Sequence, residues 1–274
     1  QQVEDLAFDH AKRTRIVNTD DFRPLIPGYN EADPLTRDTA FHPTASAITT
    51  RVLERMLAEP PVTGKVLVLA GGGGSGKSTA LKKFTEIADF TFDTTFSYPD
   101  YVTQLSDQIL ASGREIQVIY VHRNFANAFE NIIGRYLLGK DDGNSRIVPL
   151  PVAASAHLGA QEVILNLRGM PFRIIDNNAS INSMHEISLE DLARQSYLQT
   201  HETTGQPRQI DGSRRQVGDT ESSRGNSERP SQVGKDHRRA GSQARLEAEG
   251  RSIIEDYRSR GRLTDAEAKA FLGE

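Results

Sequence analysis

The chain has 274 residues, of which 36% are hydrophobic and 22 are glycine, enough for one large domain with an appendage or for two small ones. It has no cysteine, which excludes a disulfide scaffold, a zinc ribbon or finger, an iron–sulfur cluster and a thiol nucleophile. A formal net charge of −4 makes no electrostatic case for nucleic acid, and no apolar run nears the roughly 20 residues that span a bilayer.

With a mean hydropathy of −0.51 the chain reads as soluble. It opens Gln1-Gln2 without Met, as a piece of a longer polypeptide would. Residues 3–13 form a short helix, and 14–18 a strand ending at Thr19-Asp20-Asp21. Residues 45–58 form a periodic helix on Ile48, Val52, Leu53, Met56 and Leu57, stopped by Pro60-Pro61. Val66-Leu67-Val68-Leu69-Ala70 is an unbroken apolar run, the pattern of a strand covered on both faces. Helices are expected over 77–88, 101–112, 126–138 and 154–168, with strands over 90–93, 116–121 and 172–175 between and after them. Such alternation argues for a parallel sheet with helices on both faces, an α/β fold filling residues 1–198.

From 200 to 245 only five residues in 46 are hydrophobic, and lysines and arginines outnumber acids nine to six. So little apolar surface cannot offset backbone entropy, and residues 199–245 are expected to be a disordered linker. Leu246, Ile253, Ile254 and Tyr257 then return at helical spacing up to Gly261. Thr264-Asp265-Ala266-Glu267 reads as a capping box opening a last helix through Leu272. This C-terminal helical pair, 246–274, has too little core to stand alone and should dock on something.

Gly71-Gly72-Gly73-Gly74-Ser75-Gly76-Lys77-Ser78 fits G-x-x-x-x-G-K-[ST] without a mismatch, after a buried strand and before a helix. Glycines let successive amides curl around a β-phosphate, and the helix start adds partial positive charge. Gly72, Gly73, Gly74, Ser75, Gly76, Lys77, Ser78 and Thr79 are therefore the expected ATP site, with Lys77 on the β- and γ-phosphates and Ser78 on Mg²⁺. The fold expected is a P-loop NTPase of the kinase kind. A switch GTPase needs D-x-x-G and N-K-x-D, which are missing. A motor ATPase needs an acidic pair after the apolar strand, yet 118–121 runs into His122-Arg123. A small-molecule or polynucleotide kinase remains, in which an Asp orients the acceptor hydroxyl and arginines neutralise the phosphoryl group. Asp20 and Asp21 follow a strand end, where open parallel sheets place their crevice.

Asn18-Thr19-Asp20-Asp21-Phe22-Arg23, with Pro27 and Tyr29 beyond, resembles the D-x-F-R…H-P-x-Y segment of the zeta toxin kinases. These belong to bacterial toxin–antitoxin systems and use ATP to phosphorylate a UDP-N-acetyl sugar. The resemblance, spanning about 14–180, implies that Asp20 is the catalytic base with Arg23 beside it. Asp93-Thr94-Thr95 resembles the family's E-G-T turn, which implies that Asp93 and Thr95 contact the sugar nucleotide, although Asp replaces Glu and Thr replaces Gly. Ile132-Ile133-Gly134-Arg135-Tyr136 resembles its L-I-R-Y stretch, and Ser145-Arg146 its second lid arginine, so that Arg135 and Arg146 would stabilise the phosphoryl group. The resemblance also implies a cytoplasmic location, a nucleotide-sugar substrate and an antitoxin or intramolecular inhibitor, for which the C-terminal helices are a candidate. The usual order is inverted here, because the D-x-F-R segment precedes the glycine loop. A phage- and effector-associated branch shares that order and an F-H-x-x-A-S stretch like Phe41-His42-Pro43-Thr44-Ala45-Ser46. His42 is open between a substrate contact and a helix cap. His157 reads as a satisfied, partly buried histidine, Arg123 as a strand-end residue at the crevice or in solvent, and Asp176-Asn177-Asn178 as a turn. Two other readings stay open: a kinase acting on NAD or a nucleic-acid 5′-hydroxyl, and a catalytically silent nucleotide-binding module.

Overall fold

The computed structural model describes residues 1–83, 87–140, 145–178, 183–198 and 232–274, the side chains of 232–235 and 237 excepted. Helix α1 (Gln2–Thr14) leads into β1 (Ile16–Asn18), a single-turn α2 (Thr19–Phe22) and a 3-10 turn (Arg23–Leu25). There follow α3 (Arg37–Ala58), β2 (Lys65–Ala70), α4 (Lys77–Lys83), β3 (Phe90–Asp93) and α5 (Pro99–Ala111). The chain continues with β4 (Glu115–His122), α6 (Phe125–Gly139), α7 (Leu150–Asn166) and β5 (Phe172–Asp176). It closes with β6 (His185–Ile187), α8 (Leu189–Arg194), α9 (Gln232–Ser259) and α10 (Asp265–Leu272).

The six strands form one sheet in the order β1-β3-β2-β4-β5-β6, parallel throughout except for β6. Both faces of the central strand are covered, as its unbroken apolar run requires. Val66, Val68 and Ala70 join a core with Ala7, Val52, Leu105 and Ile164 of α1, α3, α5 and α7. Leu67 and Leu69 point the other way, toward Ala80 of α4, Ile119, Val121 and Ile175. At the opposite end of the sheet from the crevice, buried Arg114 and Asp89 pair at 2.8 Å. Asp89 also accepts from the Val62 and Thr63 amides. Burial pushes its carboxyl up, but the Thr63 and Arg114 donors outweigh that and hold it at about 2.

Three expectations change. Helix α3 starts at Arg37, eight residues before the expected 45, so His42 and Pro43 lie inside it and His42 is no cap. Pro43 cannot supply its N–H to the preceding turn, but tertiary bonds hold that turn: Arg37 Nη2 donates to the Ser145 carbonyl at 2.7 Å, and Asp38 accepts several donors described below. The strand β6 and helix α8 were not expected: three residues, none of them buried, carry no periodicity, although Ser188-Leu189-Glu190-Asp191 is a capping-box pattern that opens α8.

The linker expectation fails over 232–245, where α9 is already helical. Its first half is poor in apolar residues but rich in Arg, Gln and Ala, which favour helix. Arg239 also reaches Glu162 of α7 at 2.9 Å, and Arg245 reaches the Tyr197 carbonyl at 2.5 Å. The rest of that expectation, 199–231, lies outside the described residues. The last two helices do dock: Leu246, Ile254, Leu263, Ala268 and Phe271 share a core with Phe125, Phe129, Ile133 and Leu158 of α6 and α7. The α10 capping box forms as read, Thr264 Oγ1 accepting from the Glu267 amide. Among the described residues no helix is long and apolar enough to cross a membrane.

Candidate active site

The glycine loop joins β2 to α4, and three of its glycines adopt conformations that side chains resist: φ is 136° at Gly71, 73° at Gly74 and 95° at Gly76. Contacts make the sequence stricter still. A Cβ on Gly74 would meet the Ala128 carbonyl, and one on Gly72 would overlap the His157 ring. Neighbouring side chains hold the loop's carbonyls on its outer side. His157 Nε2 bonds the Gly73 carbonyl at 2.8 Å, Asn131 Nδ2 the Gly74 carbonyl at 2.9 Å, and Asn177 Nδ2 the Ser75 carbonyl at 2.8 Å. Among the described residues the amides of Gly72, Gly73, Gly74 and Gly76 donate to no other group. This is a nest for anionic oxygens at a helix start. Lys77 Nζ lies over it, 2.8 Å from the Gly71 carbonyl and 3.7 Å from Asp93 Oδ1. Ser78 is exposed in the first turn of α4, with half-buried Thr79 beside it. Open amides and positions that tolerate no Cβ fit a nucleotide polyphosphate, and the Ser78 hydroxyl fits its Mg²⁺.

Strand register decides what faces this nest. Asn18 lies opposite Asp93, and Asp93 opposite Leu69, so β1, β3 and β2 end level with one another. The residues after β1 therefore open onto the same sheet edge as the glycine loop. Asn18 caps α2 by accepting from the Asp20 amide at 2.9 Å, which fixes the turn that presents the acids. The Asp pair then splits. Asp21 turns toward His10, 3.9 Å away, while Asp20 ion-pairs with Arg146 and lies 3.6 Å from Arg23 Nη2. Burial pushes the Asp20 carboxyl up, but Arg146, Arg23 and Lys77 outweigh it and hold the group below the usual carboxylate range. Asp93 goes the other way, raised by burial and by Asp20 against the pull of Lys77 and Arg135.

The other expected residues gather here too. Arg135 is exposed on α6 within electrostatic reach of Asp93, and bonds no other described residue. Arg23 is buried and donates to Asp38 at 3.0 Å, with its Nη2 2.9 Å from His42 Nδ1. His42 must then accept at Nδ1; burial first, then Arg23 and Arg146, depress its pKa. The Thr95 carbonyl accepts from the Gly71 amide at 3.3 Å, tying the turn after β3 to the loop, and its hydroxyl lies 3.1 Å from that of Ser97. Arg123 Nη1 donates to the Asn177 carbonyl at 2.8 Å, so it braces the β4 and β5 ends.

Several residues of this site escaped sequence reading. Asn177 is more than part of a turn, and Asn131 carried no signal beyond its place on α6. Phe96 adopts φ 58°, a left-handed conformation costly for an aromatic residue, directly after the turn that meets the loop. Asp38 stands four places before His42, and so on the same helical face. That spacing was visible, but only to a reading that carried the helix through Pro43.

A mostly parallel sheet, a phosphate-binding loop between its central strand and the next helix, and carboxylates level with that loop define an α/β protein of the P-loop kinase kind. Residues 86–189 match the family described as zeta toxin, a match that supports a P-loop kinase-type phosphotransferase. The matched stretch begins after the glycine loop and omits the Asp20 segment, both of which lie upstream. Among solved structures, that of AvrRxo1-ORF1:AvrRxo1-ORF2 with sulphate ions is similar at 12% identity and a TM-score of 0.36, over 64% of this chain and 76% of that one. No curated protein matches the sequence.

Proposed function

We propose that the protein is a cytoplasmic toxin kinase that transfers the γ-phosphoryl group of ATP to a hydroxyl of a UDP-N-acetyl sugar. Bound ATP·Mg²⁺ would supply the transferable phosphoryl group and its electrophilic character. The amides of Gly72, Gly73, Gly74 and Gly76 and the Lys77 ammonium bind the phosphates, and Ser78 ligates the metal. Asp20 takes the proton of the acceptor hydroxyl. Arg135 and Arg146 neutralise charge on the transferring group, and Lys77 holds its leaving side. Arg23, His42, Asp93 and Thr95 line the acceptor's side of the crevice. A toxic activity implies a neutralising partner. The packing of α9 and α10 into the α6–α7 core favours a structural part for these helices, and so favours a separate antitoxin over an intramolecular inhibitor.

The observation that carries this reading is the level ending of β1, β3 and β2, which brings Asp20 within electrostatic reach of Lys77. The test is phosphoryl transfer from labelled ATP to a panel of acceptors: UDP-N-acetylglucosamine, NAD and an oligonucleotide with a free 5′-hydroxyl. Asp20→Ala is expected to lower transfer at least ~100-fold, as loss of a positioned base does, while ATP affinity stays within about threefold. Transfer to NAD or the oligonucleotide alone would replace the acceptor, and an Asp20→Ala enzyme as fast as wild type would remove the base.

A further inference from the structure

One buried carboxylate at this edge has no part in the chemistry above. Asp38 is 6% exposed, yet it gathers donors from segments far apart in sequence. Its Oδ1 accepts from Arg23 Nη1 at 3.0 Å and from the Tyr29 hydroxyl at 2.8 Å, and its Oδ2 from the Ile147 amide at 3.1 Å. Arg146 Nε lies 3.9 Å from Oδ1. With Asp20 these groups close a ring of alternating charge, in which each arginine faces both acids.

The ring is unequal. Asp20 is at its open corner, its side chain 46% exposed, and Asp38 at its closed corner, its side chain 7% exposed. Arg23 is drawn to Asp38, 3.0 Å against 3.6 Å, and so stands back from Asp20. Arg146 is the movable member. It follows Ser145, whose carbonyl is held by Arg37, and precedes Ile147, whose amide is held by Asp38. Its head can therefore leave Asp20 for phosphoryl oxygens while the backbone on either side keeps its anchors; its Nε has no hydrogen-bond partner among the described residues. Without that anchor, two guanidiniums and Lys77 would all converge on one carboxylate.

We infer that Asp38 is a positioning residue for phosphoryl transfer, which sets Arg23 and Arg146 and lets Arg146 release Asp20 when a phosphoryl group arrives. This rests on the kinase reading above. Asp38 touches none of the side chains that brace the glycine loop, so its removal spares ATP binding. Asp38→Asn keeps the shape and removes the charge. Asp20 then faces Arg146, Arg23 and Lys77 with only Asp21 and Asp93 opposing them and His42 neutral nearby, and it becomes a weaker base.

The experiment compares wild type, Asp38→Asn and Tyr29→Phe in rate–pH profiles with the acceptor that wild type uses, beside ATP binding and thermal melting. Asp38→Asn is expected to lower kcat about 10- to 100-fold, the scale of a misplaced catalytic group. The KM for ATP should stay within about threefold and the acid limb of the profile should move to lower pH. Tyr29→Phe removes a donor but no charge, and should lower kcat less than about fivefold with the acid limb unmoved. An Asp38→Asn enzyme with wild-type kcat and profile overturns the inference alone. So does one that loses melting temperature and ATP affinity along with activity, which would make Asp38 a scaffold residue. A wild-type protein that binds ATP and transfers to no acceptor overturns the kinase reading and this inference with it.

Discussion

Gly72 and His157 are separated by 85 positions yet occupy adjoining space, and the pair offers a direct test of how the phosphate loop is held. Gly72→Ala would place a methyl carbon less than 3.0 Å from three atoms of the His157 ring. The ring cannot retreat freely: it is 3% exposed, edge-on to Phe125 with centroids 5.5 Å apart, and bonded to the Gly73 carbonyl. Overpacking of this kind costs about 1–3 kcal/mol. Breaking the bond to Gly73 adds about 1–3 kcal/mol for the buried group left unpaired. Gly72→Ala should therefore destabilise by about 2–6 kcal/mol. His157→Ala alone loses the bond and leaves a cavity, at about 2–4 kcal/mol. In the double variant the new methyl group enters that cavity and the clash vanishes, so the costs should fall short of their sum by about 2 kcal/mol. Urea unfolding of the four proteins at pH 7 measures the coupling, and binding of a fluorescent ATP analogue reports on the loop itself. Additivity within about 0.5 kcal/mol would mean that the two residues do not share space, and the account of the loop's brace would be wrong.

Two further outcomes concern charge. Burial pushes the His157 imidazole down to about 4, and Lys77 and His122 add to this against the Gly73 bond. The native state therefore refuses a proton that the unfolded chain takes near pH 6.5, and stability falls as pH drops from about 6.5 to about 4. Wild type should lose about 2 kcal/mol more between pH 7 and pH 5 than His157→Gln, measured by urea midpoints, and equal losses would refute the assignment. Glu267 of α10 accepts from the Tyr136 hydroxyl at 2.6 Å and pairs with Lys140 at 2.5 Å. Burial raises its carboxyl, but Lys140, Tyr136 and Thr264 outweigh that and hold it at about 2. Its contribution is present above pH 4.5 and is lost as pH falls toward about 2. Glu267→Gln should destabilise by about 1–3 kcal/mol at pH 7, and calorimetry should show the gap between the two proteins narrowing as pH falls from 4.5.

Much of the site was legible because its chemistry is local. The glycine loop announces itself, since glycine alone adopts φ near 136° and 73° without strain and a contiguous run of amides wraps a phosphate. The strand before it read correctly because burial on both faces leaves no polar position in 66–70. Local signals also misled. Apolar periodicity starts the helix at 45, whereas Arg37 and Asp38 hold the turn ahead of Pro43 through partners more than 100 residues away. Composition placed 232–245 in a linker, whereas α9 there is fastened to α7 by Arg239 and Glu162, a pairing no window of sequence contains.

Sequence by itself determined the kind of elements, their alternation and the presence of a phosphate nest, because hydrophobic period and glycine geometry act over a few neighbouring residues. Only the tertiary structure decided that β1 lies beside β3 rather than beside β2, and that its end is level with Asp93. Strand order is set by which faces can be buried together across the whole chain, and the chemistry depends on it. That order brings Asp20 and Lys77, 57 positions apart, to one edge, and seats Asp38 behind them.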